Sequence, residues 1–237
     1  MQKTLTIAGR QFRSYFNGPV AYIVVCVCLL LVGAFFWSPF FLMGRVTVRE
    51  MFKLLGYTLV FAAPAITMGL LAEEKRSGTL ELLITMPVRE ADVIVGKFLG
   101  AVGLLAVMLL VTLPYPISVS RFGDLDWGPV MSGYFGLLLQ GSAMIAIGLA
   151  ASSFTDNQLV AFFAAFFVCF VLVGIGWLLP LMPPGFLVNA AEWASFDYHF
   201  ESMSRGVIDT RDLIYFLSIA GFCLMLAFRA LESRRWS

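Results

Sequence analysis

Hydrophobic and polar positions along this chain fall into long blocks rather than short alternations. Six stretches, at about 20–43, 54–72, 98–118, 129–151, 159–179 and 213–228, contain no Asp, Glu, Lys, Arg or His. A helix needs about 20 predominantly apolar residues to cross a hydrocarbon core of roughly 30 Å. Only helices and closed barrels satisfy every backbone polar group in lipid. The pattern therefore predicts an all-α polytopic membrane protein with six transmembrane helices. Pro64 falls inside the second block and Pro114 at the end of the third, which spanning helices tolerate when neighbouring groups re-satisfy the backbone. Gly136, Gly141 and Gly148 in the fourth block either admit a closely packed neighbour or are ordinary membrane-helix glycines, and the spacing leaves both open.

The segments between the blocks are the informative ones. In residues 2–18, Leu5, Ala8, Phe12, Tyr15 and Phe16 share one helical face, and Thr6, Arg10, Arg13 and Asn17 share the other. That is an amphipathic helix lying in the inner interface, ended by Gly18-Pro19; a solvated helix is the plainer alternative. Between blocks four and five, Thr155 and Gln158 fit a capping box, and Asp156 sits where the next helix dipole favours an anion. The longest connection, 180–212, carries Pro180, Pro183 and Pro184 and the aromatics Trp193, Phe196 and Phe200, which suit interface anchors.

Composition agrees: 60% of the residues are hydrophobic and 13% charged, with a mean hydropathy of +0.88, where soluble domains carry about a quarter charged. A net charge of +1 gives no reason to expect nucleic acid as a partner. The first apolar run is long and lacks a small-residue cleavage site, so no removable signal is expected. Six spans put both termini on one side. With the N-terminus in the cytoplasm, the inner segments hold ten Lys and Arg and the outer ones six, so the positive-inside rule favours cytoplasmic termini. Cys26, Cys28, Cys169 and Cys223 all lie in apolar runs and read as small hydrophobes.

Several chemistries find no residues. Intramembrane ionisable groups mark proton and ion pathways, and the blocks hold none. That disfavours an ion-driven transporter, a channel or a membrane enzyme. The single His, His199, has Asp197 and Glu201 near it and no second His or Cys, which is at most a weak metal site. The phosphate-cradling pattern G-x-x-x-x-G-K-[ST] is absent: Gly96-Lys97 is followed by Phe98, and position 91 is Ala. If ATP drives this protein, another chain binds it.

The charged stretch 72–97 subdivides. Glu73-Glu74-Lys75-Arg76 continues the second span out of the bilayer, and Ser77-Gly78 breaks it, Gly being suited to a left-handed cap. Residues 79–85 can form two helical turns, stopped at Pro87. On that short helix Leu80, Leu83 and Ile84 share a face. Such a helix can dock in a groove of another protein or tuck its leucines under the bundle, and the residues leave these two readings level.

The run Glu74-x-x-x-Gly78-Thr79-Leu80-Glu81-Leu82-Leu83 through Pro87, followed by Ile94-Val95-Gly96-Lys97, resembles the first cytoplasmic loop of type-2 ABC transporter permeases. Tyr198-His199-Phe200-x-x-x-x-Arg205-Gly206-Val207-Ile208-Asp209-x-Arg211-Asp212 resembles the short six-span branch that includes the gliding-motility-type permeases. The resemblance implies that residues 1–237 form one transmembrane domain in a bacterial cytoplasmic membrane. The N-terminal helix would be a connecting helix. Residues 78–87 would be a coupling helix seated in a separate ATP-binding subunit, with Glu74, Gly78, Thr79, Leu80, Glu81, Leu82 and Pro87 as contact residues. Segment 180–212 would form short lid helices, with Trp193, His199, Phe200, Arg205 and Asp209 as its notable positions. It implies a second permease chain, identical or homologous, and two ATPase subunits that hold ATP and Mg. No cofactor or catalytic residue falls to this chain. The functions it admits are the permease of an exporter for a lipidic or amphiphilic substrate, or a non-transporting subunit that passes ATPase work to an outer, periplasmic partner.

Overall fold

A computed structural model describes residues 2–43, 48–78, 89–181, 183 and 185–232. Among these residues the helices are α1 (Gln2–Asn17), α2 (Val20–Met43), α3 (Arg49–Thr67), α4 (Ala72–Arg76), α5 (Glu90–Val111), α6 (Pro114–Val119), α7 (Trp127–Phe154), α8 (Gln158–Leu178), α9 (Phe186–Ala194), α10 (Phe196–Ser204) and α11 (Thr210–Glu232), with a 3-10 turn at Leu179–Leu181. Among the described residues, six helical segments are long and apolar enough to cross a membrane: α2, α3 with α4, α5 with α6, α7, α8 and α11. The all-α, six-span expectation holds.

Helix α7 is the axis of the bundle and packs against α3, α5, α8, α10 and α11. Lipid tails are as apolar as leucine, so close packing rather than water exclusion holds such helices together. The glycines of α7 make that packing possible. A Cβ at Gly133 would come 2.5 Å from the Phe52 ring, at Gly141 2.5 Å from Leu105, and at Gly136 2.9 Å from the Met203 sulfur. At Gly148 it would collide with Thr67. Gly136, Gly141 and Gly148 are thus close-approach positions. Around them Leu55, Leu59, Leu104, Leu105, Met108, Leu137 and Met144 are wholly buried.

Helix α1 packs along α5 on a second row of small residues. A Cβ at Gly96 would come 2.8 Å from Ile7, and at Gly100 2.8 Å from Gln11. Thr4 donates to Asp92 at 2.7 Å, and the buried Tyr15 hydroxyl donates to the Ile66 carbonyl at 3.1 Å; burial pushes the Tyr15 phenol up. The packed face therefore carries Thr4, Ile7, Gln11 and Tyr15, with the expected Phe12 against Gly103 and Phe16 against the core. Leu5, expected on the apolar face, is 66% exposed and shares the outer side with Arg10 and Arg13. The glycines of α5 let polar Thr4 and Gln11 approach closely.

Pro64 lies inside α3, which runs on to Thr67, where the Thr67 hydroxyl donates to the Ala63 carbonyl at 2.8 Å. One further expectation is corrected. The cap of α8 is Asn157 and not Thr155: Asn157 Oδ1 accepts from the Leu159 N–H at 3.0 Å, while Thr155 accepts from Asn157 one step earlier. Asn is among the strongest N-cap residues, and here it lies next to the first helical residue.

Candidate functional site

The second span breaks at Met68–Leu71, and the break is clamped from three sides. Ser152, near the end of α7, accepts from the N–H groups of Leu71 and Ala72 at 3.0 Å each and donates to the Met68 carbonyl at 3.1 Å. These are among the backbone groups that a helix end leaves unpaired. Lys97, on α5, donates to the Leu70 carbonyl at 2.6 Å and pairs with the Glu74 carboxylate at 2.7 Å. Lys75 donates to the Ser153 carbonyl. Gly78 closes α4 at φ +71°, its N–H bonded to the Lys75 carbonyl at 3.2 Å. A Cβ would oppose that left-handed backbone.

The five-residue helix α4 is therefore bolted to α5 through Lys97 and to the α7–α8 corner through Ser152 and Ser153. Of the contact residues expected from sequence, Glu74 and Gly78 sit in this clamp. Thr79, Leu80, Glu81, Leu82 and Pro87 lie outside the described residues. Lys97 and Ser152 are the residues that sequence reasoning missed. Lys97 lies within α5, which starts at Glu90, and is 4% exposed. Asp212, on α11, is 5% exposed. Each is accommodated because its charge is met by specific partners.

The opposite end of the bundle holds a second polar cluster. His199 is fully buried. Its Nδ1 lies 2.7 Å from Asp212 Oδ1 and its Nε2 lies 3.3 Å from the Trp193 carbonyl, so both ring nitrogens face acceptors. Its ring stacks on Tyr215 at 3.9 Å between centroids. Ser202 donates to the other oxygen of Asp212, and the Tyr215 hydroxyl donates to the Ala194 carbonyl at 2.7 Å. His199 thus ties α9, α10 and α11 into one unit.

Its sequence neighbours point elsewhere. Asp197 accepts from Tyr57 at 3.3 Å and Glu201 pairs with Arg205 on the surface, so the weak metal set does not assemble. Among the described residues no three His, Cys, Asp or Glu are placed to hold a metal. Phe196 and Phe200, expected as interface anchors, are instead core residues at 0% and 3% exposure, because α10 folds back onto α7 and α11. Trp193 stays exposed, with the Arg211 guanidinium 3.8 Å above its ring. Asp209 caps α11, accepting from the Arg211 N–H at 3.0 Å.

Burial pushes the Asp197 carboxyl up to about 6, against the opposing pull of the Tyr57 hydrogen bond and of Lys53; Glu201 adds to the rise. Tyr57 in turn accepts from Trp177 at 3.1 Å. A chain of three side chains so links α8, α3 and α10.

Six apolar spans with both polar clusters used for clamping define a multi-pass α-helical membrane protein. Residues 10–194 match the ABC-2 family transporter proteins, and the chain belongs to that family. It is a membrane permease of an ABC transporter. No curated protein matches it.

Proposed function

We propose that this chain couples ATP hydrolysis on separate ATP-binding subunits to export across a bacterial cytoplasmic membrane, with the α4 end and both termini in the cytoplasm. Two copies, or this chain and a homologue, face each other over two ATPase subunits that carry the ATP and Mg. Residues 79–87 form the contact with the motor. The observation that carries this reading is the Lys97 clamp: it joins the segment entering that contact to the spans that must move. Closure of the ATPase pair displaces α4, and α3, α5 and α7 follow as linked bodies. This chain supplies mechanics and no bond-making step.

A second reading has its own support. The His199 cluster makes α9–α11 a stiff surface at the far end, with Trp193, Val207 and Ile208 exposed on it. Such a surface suits a permease that drives an outer partner, as in the gliding-motility-type branch.

The test is co-expression with a cognate ATPase subunit and assay in proteoliposomes. Leu82→Asp is expected to abolish co-purification and permease-stimulated ATP turnover while leaving insertion intact. Full association of that variant would refute the coupling contact. Turnover that requires a periplasmic protein and moves no solute would select the second reading.

A further inference from the structure

The outer face of α1 is basic and has no counter-charge. Residues Gln2–Asn17 include no Asp or Glu. Arg10 and Arg13 are exposed, and neither has a hydrogen bond or ion pair among the described residues. The Asp92 carboxylate that meets α1 is taken up by the Thr4 hydroxyl. Arg10 is instead one of the charges that bear on Lys97, another cation. The two arginines line an open cleft of about 630 Å³ with Leu5, Gly9, Ser14 and Asn17 among others. Gly9 has nothing within 4 Å of where a Cβ would stand, so the cleft is open above it. Arg10 and Arg13 are three residues apart, which sets their Cβ atoms about 5–6 Å from each other on one side of the helix. Ser14 and Asn17 add a hydroxyl and an amide to that side.

The packing of α1 on α5 fixes the depth of that face. Thr4 meets Asp92, Ile7 meets Gly96, Gln11 meets Gly100 and Phe12 meets Gly103. Helix α5 carries Glu90, Asp92 and Lys97 at its start and no Asp, Glu, Lys, Arg or His from Phe98 to Val111. Arg10 and Arg13 therefore stand beside the change from charged to apolar, which is the level of lipid headgroups. About 4.5 Å of helix axis separates them, and a headgroup layer is roughly 5–7 Å deep. Beyond Gly18-Pro19 the chain enters α2, where Tyr22, Ile23 and Leu30 are more than half exposed. The basic face so leads into the lipid-facing surface of a span. Arginines set for an acidic soluble partner belong further out, level with Glu90 and Asp92.

We propose that the Arg10–Arg13 face of α1 binds the phosphate of an anionic phospholipid in the adjoining leaflet. The planar guanidinium groups donate in pairs to phosphodiester oxygens, and Ser14 and Asn17 supply neutral donors. A zwitterionic lipid offers the same phosphate but brings its own cation against the arginines, so the site selects by net charge. The bound phosphate also offsets the repulsion between Arg10 and Lys97. This inference goes beyond the export reading and does not depend on it, since it needs no ATPase, no substrate and no assignment of sides.

The test uses the full-length permease in a non-ionic detergent. Phosphatidylglycerol or phosphatidylcholine with identical chains is titrated in, and bound lipid is counted by native mass spectrometry. One arginine at a charged membrane surface is worth about fivefold in binding. The wild type is therefore expected to hold one phosphatidylglycerol about twentyfold tighter than phosphatidylcholine. Arg10→Gln and Arg13→Gln should each lose about fivefold of that preference, and the double variant should bind the two lipids alike. Arg121→Gln, which removes an exposed arginine at the other end of the bundle, should keep the wild-type preference. A wild type without preference overturns the site, as does a preference that survives in the double variant. An equal loss in Arg121→Gln would show an effect of total charge alone and overturns it too. A double variant that keeps the lipid preference but no longer co-purifies with an ATPase subunit would reassign the face to a protein contact.

Discussion

Lys97 reaches from the middle of one helix to the broken end of another: its ammonium donates to the Leu70 carbonyl at 2.6 Å and holds Glu74 at 2.7 Å. Both acceptors belong to the stretch where α3 stops and α4 begins, so one side chain fixes the angle between them. Lys97→Met keeps most of the stem and removes the charge. It leaves a carbonyl and a carboxylate without their cation, a loss of about 1–3 kcal/mol. A lowered thermal midpoint in detergent, with ATP turnover lost well before the protein unfolds, is expected. Unchanged coupling in Lys97→Met would show that α4 moves independently of α5.

Gln140 on α7 presents the opposite case. It is completely buried, faces Gly56 across the α3–α7 contact, and neither atom of its amide is hydrogen-bonded among the described residues. An unsatisfied buried polar group costs about 1–3 kcal/mol, whereas an apolar group of like size costs nothing of the kind. Gln140→Leu should therefore raise the midpoint of thermal unfolding. A fall would mean that the amide has a partner in the working protein, and activity of the variant would then locate it.

Asp197 carries a pH signature. Its folded-state value of about 6 lies above the ordinary 3.8, so the folded state binds the proton more tightly. The corresponding stability is fully present below about pH 4 and is lost as pH rises through 6. Between those limits the midpoint of the wild type should fall more steeply with rising pH than that of Asp197→Asn. Parallel curves would show that this carboxyl is ordinary.

Orientation has a direct chemical check. Val207, in the α10–α11 connection, and Arg89, just before α5, are both exposed and lie at opposite ends of the bundle. In a background free of the native cysteines, Val207→Cys should react with an impermeant maleimide added to intact cells, and Arg89→Cys only after permeabilisation. The reverse pattern inverts the topology.

The spans were legible because lipid imposes a length and a composition that six blocks of this chain meet. Their ends were not. Lys97 reads as part of the charged stretch because charge usually marks water, and the Leu70 carbonyl that accommodates it is invisible in a linear pattern. Phe196 and Phe200 read as interface anchors because aromatics near span ends usually are, until the reversal between α9 and α10 puts them under the bundle. The place of Thr4 and Gln11 on the packed side of α1 likewise depended on which glycines of α5 they met. Gly78 was readable, since the break it makes is a property of its own backbone.

By itself the sequence determined the class of fold, the number of spans and the charged interruption between spans two and three, because hydropathy and chain stiffness act over neighbouring residues. Only the tertiary structure decided what the interruption is attached to. Ser152, Lys97 and Leu70 are far apart along the chain, and their hydrogen bonds exist because α3, α5 and α7 pack closely enough, over residues without side chains, for polar groups to find each other where water is scarce.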